Sequence, residues 1–160
     1  TLDIRTDTRI ELGGTALSIC EVPGHTPGSV VVLDERSNRL FTGDAIGSGY
    51  GVWMQTPTAV PLETYYESLV HLLKWLVDRG GRMTFHGGHR YQMFQSTHVP
   101  SFNPPSLGLL CDLIDLVDQI VHGKIVGRIS NVDNIMELEP VLYAAYGRAE
   151  IQYKASNIRV

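Results

Sequence analysis

The stretch Val22-Pro23-Gly24-His25-Thr26-Pro27-Gly28-Ser29, followed by Leu40-Phe41-Thr42-Gly43-Asp44-Ala45, decides how this chain is read. It places a histidine and an aspartate at the ends of two short apolar runs, each in a glycine-bearing turn. Gly24 permits a tight backbone path and Pro27 fixes its own φ, so the loop between them can hold an imidazole rigidly at a sheet end. A further histidine stands among turn residues in Phe85-His86-Gly87-Gly88-His89-Arg90. Strand-end loops bearing His, Asp and His in chain order are what a hydrolytic metal site requires. Singly, each residue has a plainer use. His25 suits a turn histidine bonded to backbone, Asp44 an N-cap or Asx-turn aspartate, and His89 an exposed loop histidine. Their succession at strand ends carries the signal.

Working outward, the first half reads as strands. Thr8 to Leu12 alternates polar and apolar, Gly13-Gly14 supplies a two-residue turn, and Ala16 to Val22 returns. Val30-Val31-Val32-Leu33 is a continuous β-branched run, expected to be buried on both faces. Arg39 to Thr42 is the next strand. Ile46 to Val60 is a loop rich in Gly, Pro and Thr. Leu62 to Arg79 is an amphipathic helix, started by Pro61 and stopped by Gly80-Gly81, with an expected apolar stripe of Tyr66, Leu69, Val70, Leu73, Leu76 and Val77. Met83 to Phe85 is a short strand. Ser106 caps a second helix through His122, with Leu109, Leu110, Leu113, Val117, Ile120 and Val121 inward. Lys124 to Ile129 reads as a strand. Glu139 to Ala145 fits either a helical turn or two, or a hairpin through Gly147.

A chain of 160 residues fits one domain, spanning 1–160, and can bury a real core. The net charge of −4 and the absence of any Lys/Arg block argue against nucleic acid as partner. The longest apolar run, Leu107 to Val121, contains Asp112, Asp115 and Asp118, which excludes it as a membrane span. Cys20 and Cys111 are too few and too distant for a disulfide framework. They read as small buried apolar residues of a reducing compartment, so a cytoplasmic protein is expected. Thr1 opens the chain with neither an initiator Met nor a signal pattern, so it is expected to begin inside something longer or to have been processed.

Pro23 to Ser29, then Leu40 to Asp44, then Gly87-Gly88-His89 resembles the C-terminal half of the metallo-β-lactamase superfamily. The lead-in Ile10-Glu11-Leu12-Gly13-Gly14-Thr15-Ala16-Leu17 resembles that family's preceding strand pair, so the likeness spans roughly residues 8 to 90. It implies an α+β fold, part of an αββα sandwich, built mainly on one mixed or antiparallel sheet with helices on its outer face. It also implies a two-metal site. In that pattern His25 completes the first metal site and His89 the second, while Asp44 bridges both and is the catalytic carboxylate. The ligand directly after the glycines is His89, which leaves His86 a supporting or core role; His71 and His122 read as structural. Zinc fits imidazole and carboxylate ligands best, with iron or manganese as alternatives. Two such ions can deprotonate a water for attack on a small ester, lactone, thioester, amide or phosphodiester.

One departure changes the expectation. The family's His-x-His-x-Asp-His motif is absent, and the chain contains no His-x-His pair. Each metal would receive one histidine and the shared Asp44, whereas a catalytic zinc takes three protein ligands and a water. The chain alone is therefore expected to bind metal weakly and to catalyse poorly. Completion is expected from a missing N-terminal half of the same fold or from a second copy in a homodimer. Either would also cover the apolar sheet face of Val30, Val32 and Phe41. Tyr50, Trp53 and Met54 either line a substrate pocket or pack their loop on the domain, and His98 is a further candidate for substrate contact. The alternative function is a non-catalytic dimerising module with relic ligand positions.

Overall fold

A computed structural model describes residues 4–47, 51–89, 104–130 and 139–159. Strands β1 (Arg9–Glu11) and β2 (Ala16–Glu21) pair antiparallel about Gly13-Gly14, where Leu12 N–H donates to Thr15 C=O at 2.9 Å and Gly13 takes φ +75°. Strand β3 (Val30–Asp34) pairs antiparallel with β2, and β4 (Arg39–Gly43) with β3. The two-residue strand β5 (Val52–Trp53) interrupts the expected loop. Helix α1 (Leu62–Asp78) follows, then β6 (Thr84–Gly87), which joins β4 in parallel. The first sheet thus runs β1-β2-β3-β4-β6 and is mixed.

Helix α2 (Leu107–Val121) begins at Ser106, whose side chain accepts from Leu109 N–H at 3.1 Å. Strands β7 (Arg128–Ile129), β8 (Leu142–Tyr146) and β9 (Ala149–Tyr153) complete a second, four-stranded sheet in the order β5-β9-β8-β7. The α+β class expected from the sequence is present, and this second sheet adds to the first. Of the two forms open to Glu139–Ala145, the hairpin is the one taken. Gly147 turns at φ +57° and Arg148 N–H donates to Asp112 of α2 at 2.8 Å.

The core joins Cys20, Val31, Leu33 and Leu40 of the first sheet to both helices and to Ala144, Ile151 and Tyr153 of the second. The inward stripe of α2 is as expected, with Leu116 added. The stripe of α1 is not. Leu62, Tyr65, Ser68, Leu69, Leu72, Trp75 and Leu76 are buried, while Val70 and Val77 are 41% and 58% exposed. Burying Tyr65 and Trp75 removes more apolar area than burying two valines, and both polar tips find partners: Tyr65 on Ala45 C=O and Trp75 on Asp7.

Two further expectations are corrected. Strand β3 is buried on one face only, because Val30 and Val32 point to the side where Phe41 stays 45% exposed. Cys20 is buried, which pushes its thiol up to about 11, but Cys111 is exposed, on the side of α2 away from its apolar stripe. Among the described residues no helix is long and apolar enough to cross a membrane.

Candidate metal centre

The parallel pairing of β4 and β6 brings two candidate ligands together. Its register shifts between Phe41 and Gly43, where Gly43 turns at φ +52° and the chain leaves the sheet at Asp44. Gly88 N–H donates to Gly43 C=O at 3.3 Å, and a Cβ on Gly88 would stand 3.2 Å from Gly43 Cα. A side chain on Gly88 would crowd this approach and press the two loops apart by a few tenths of an ångström. Fully buried Thr42 adds a cross-link, donating from Oγ1 to His86 C=O at 3.3 Å.

His89 follows Gly88, and its Nε2 lies 3.1 Å from Asp44 Oδ1 and 3.3 Å from Oδ2. Asp44 Oδ1 is buried and accepts no well-formed hydrogen bond. A buried carboxylate oxygen without a donor is costly to leave so, and a cation beside it would satisfy it. Carboxylate oxygen next to imidazole nitrogen is a donor set that suits zinc or another divalent transition metal.

His25 sits in the turn between β2 and β3. That turn is closed by Val22 N–H to Ser29 C=O at 2.8 Å and by Thr26 Oγ1 against Ser29 Oγ at 2.9 Å. The ring Nδ1 lies 2.6 Å from Trp53 C=O. A carbonyl can only accept, so Nδ1 carries the proton, and in the neutral ring Nε2 keeps its lone pair. Metal-binding histidines are commonly held in this way by a backbone carbonyl. The bond is also what the plain turn-histidine reading asks for.

The structure therefore pairs Asp44 with His89 and does not gather His25 with them into a three-ligand group. Among the described residues no cluster of three or more His, Cys, Asp or Glu could hold an ion. His86 stacks on Phe41 at 5.4 Å on the open sheet face. His71 is exposed on α1, and His122 closes α2 through Asp118. Trp53 is 39% exposed beside the His25 loop. Met54 is fully buried and packs its loop on the core, because the alternation that turns Trp53 outward turns Met54 in. Tyr50 and His98 lie outside the described residues.

Sequence reading missed Tyr65, whose hydroxyl reaches the residue after Asp44 and whose ring abuts the residue before His25. A tyrosine seven residues before Leu72, on the Leu62–Leu69–Leu76 side of the helix, was the available signal.

The family model for the metallo-beta-lactamase superfamily matches residues 2–90. None of the curated proteins matches the chain significantly. Among solved structures, ETHE1 from Myxococcus xanthus is similar at 21% identity and TM-score 0.46, over 71% of this chain and 51% of that one. TTHA1623 in a di-iron-bound form is similar at 25% identity and TM-score 0.44, over 68% and 44%. A metallo-beta-lactamase from Pontibacter korlensis is similar at 20% identity and TM-score 0.47, over 72% and 47%. The chain spans about half the length of these proteins. With its match extending over more than half of its residues, the chain belongs to the metallo-beta-lactamase superfamily.

Proposed function

We propose that this chain supplies His25, Asp44 and His89 to a dinuclear centre of a metal-dependent hydrolase acting on a small ester, lactone, thioester or amide. The observation that carries the reading is the buried Oδ1 of Asp44, which accepts no well-formed hydrogen bond and has His89 Nε2 at 3.1 Å. In this reading Asp44 would hold both divalent ions, with His25 holding one through Nε2 and His89 the other. Zinc suits the donors best, with iron or manganese as alternatives. When bound, the metals supply an activated water. The chain's own part is to hold the carboxylate and both imidazoles in fixed orientations, with the His25 tautomer set by Trp53 C=O.

Two ligands per metal leave each ion short by at least one. The remaining ligands come from residues outside this chain's 160, and an upstream half of the same fold is the occupant that also covers Phe41. The working site is cytoplasmic. Metal content after growth in zinc, iron or manganese, followed by hydrolysis assays on a lactone, thioester and β-lactam panel, tests the reading. Stoichiometric metal in a chain that also carries the upstream segment, lost in Asp44→Ala, is the expected result. No metal and no hydrolysis, even with a segment carrying His-x-His-x-Asp-His present, would overturn it in favour of a dimerising module with relic ligands.

A further inference from the structure

Of the three candidate ligands, His25 and Asp44 stand on separate loops, and one side chain touches both loops. The geometry points to Tyr65 of α1 as the positioning residue that sets the His25 loop against the Asp44 loop, an inference that rests on the metal-centre reading above. Tyr65 is fully buried, and its hydroxyl donates to Ala45 C=O at 2.7 Å, one residue after Asp44. Its ring fills the space where a Gly24 side chain would stand: a Cβ there would overlap the ring carbons Cδ2 and Cε2. Gly24 immediately precedes His25. The same loop is tied again to the start of α1, since Val60 N–H donates to Gly24 C=O at 3.0 Å. Asn157 in turn donates to Val60 C=O at 3.0 Å. Gly24 is thus held between the Tyr65 ring and the segment leading into the helix.

The hydroxyl works in one direction. Burial pushes its ionisation well above the ordinary phenol range, so it stays a donor, and the Ala45 carbonyl can only accept. Ala45 is 2% exposed and leads the turn in which Gly47 N–H donates to Asp44 C=O at 3.3 Å. Removing the hydroxyl leaves a carbonyl with no donor at a dry position, and the turn that aims Asp44 must adjust. Metal ligands tolerate displacements of only about 0.2 Å from ideal distances, so a small relative shift of the two loops is felt at the ion.

The test is Tyr65→Phe in the full chain, read by zinc affinity in competition with a chromophoric chelator and by amide hydrogen exchange of the metal-free protein. The variant keeps the ring on Gly24 and loses only the bond to Ala45. Zinc affinity is expected to fall by about 10-fold, the lower end for groups that orient metal ligands. Exchange is expected to quicken at residues 43–47 and also at 24–26. Leu72→Ala, two turns along the same helix and fully buried, is the control for general destabilisation. It should lower the melting temperature more and leave zinc affinity unchanged. Unaltered affinity in Tyr65→Phe, or an equal loss in Leu72→Ala, would overturn the inference. If the parent chain binds no zinc, the metal reading fails by itself. Exchange at residues 24–26 then still decides whether Tyr65 couples the loops, and no change there overturns the coupling.

Discussion

Asp44 carries most of the chemistry proposed here, and its two oxygens do not sit alike. Oδ1 is buried and accepts no well-formed hydrogen bond, while Oδ2 is hydrogen-bonded to His89 Nε2, which stands within 3.3 Å of both. Asp44→Asn preserves shape and removes the charge a cation needs. Zinc affinity is expected to drop by more than about 100-fold, beyond what the loss of an orienting partner causes. Thermal stability should move little, as for a substitution within about 0.5 kcal/mol. Chelator competition and a melting curve on the same preparation read both. An Asp44→Asn chain that keeps its affinity would remove Asp44 from the centre. At Gly24 the expectation is the reverse. A Cβ meets the Tyr65 ring, so Gly24→Ala should cost about 1–3 kcal/mol by overpacking, measured as the shift in urea midpoint at constant slope. An unchanged midpoint would mean that the ring and the loop part freely.

Between elements, the turn joining β3 to β4 offers a pH-dependent contribution. Asp34 accepts from Ser37 Oγ at 2.6 Å, Thr15 Oγ1 at 2.5 Å and Arg36 N–H at 3.1 Å. The Ser37 hydroxyl first, then that of Thr15, hold its carboxyl down at about 2. Its folded value lies below the unfolded one, so the ionised form is the stabilising one. Its contribution is complete above about pH 4 and fades as pH falls towards 2. The stability gap between the parent and Asp34→Ala should therefore narrow from pH 5 to pH 2 in urea titrations, and a constant gap would refute the assignment. At α2, Ser106→Ala should cost about 1 kcal/mol through loss of the bond to Leu109 N–H, read from the same titrations. These elements were largely legible in the sequence, because β-branched runs, glycine turns and a serine cap are local signals. The face of α1 was not. Val70 and Val77 fit a helical stripe as well as Tyr65 and Trp75 do, and distant partners at Ala45 and Asp7 decide which side turns in. Strand β5 gave no signal either, since two residues in a Gly/Pro loop become a strand only by pairing with β9. At the site, the meeting of Asp44 and His89 was legible from strand ends. A backbone bond at His25 was legible as its plain turn use, but its acceptor, the distant Trp53 C=O, was not, because only the folded β5 segment brings it there.

For the molecule as a whole, the proposed metal centre calls for ligands beyond this chain, and the open side of the first sheet is where the proposed upstream half would sit. Ile19, Val32, Phe41 and His86 stand in one cross-strand row, and Phe41 remains 45% exposed in it. An upstream half of the fold seated on this row would bury Phe41 and bring the remaining ligands towards Asp44. One substitution in two contexts distinguishes this from a second copy on the same face. In the 160-residue chain alone, Phe41→Glu replaces an exposed ring and should change stability by no more than about 0.5 kcal/mol. In a longer chain that carries the upstream half, the same carboxylate is sealed in an apolar interface and should cost several kcal/mol. Urea titration of both pairs gives the comparison, and sedimentation velocity of the short chain shows whether it dimerises. If the cost is small in both contexts, the upstream half does not cover Phe41. If the short chain is a dimer that Phe41→Glu dissociates, a second copy is the occupant.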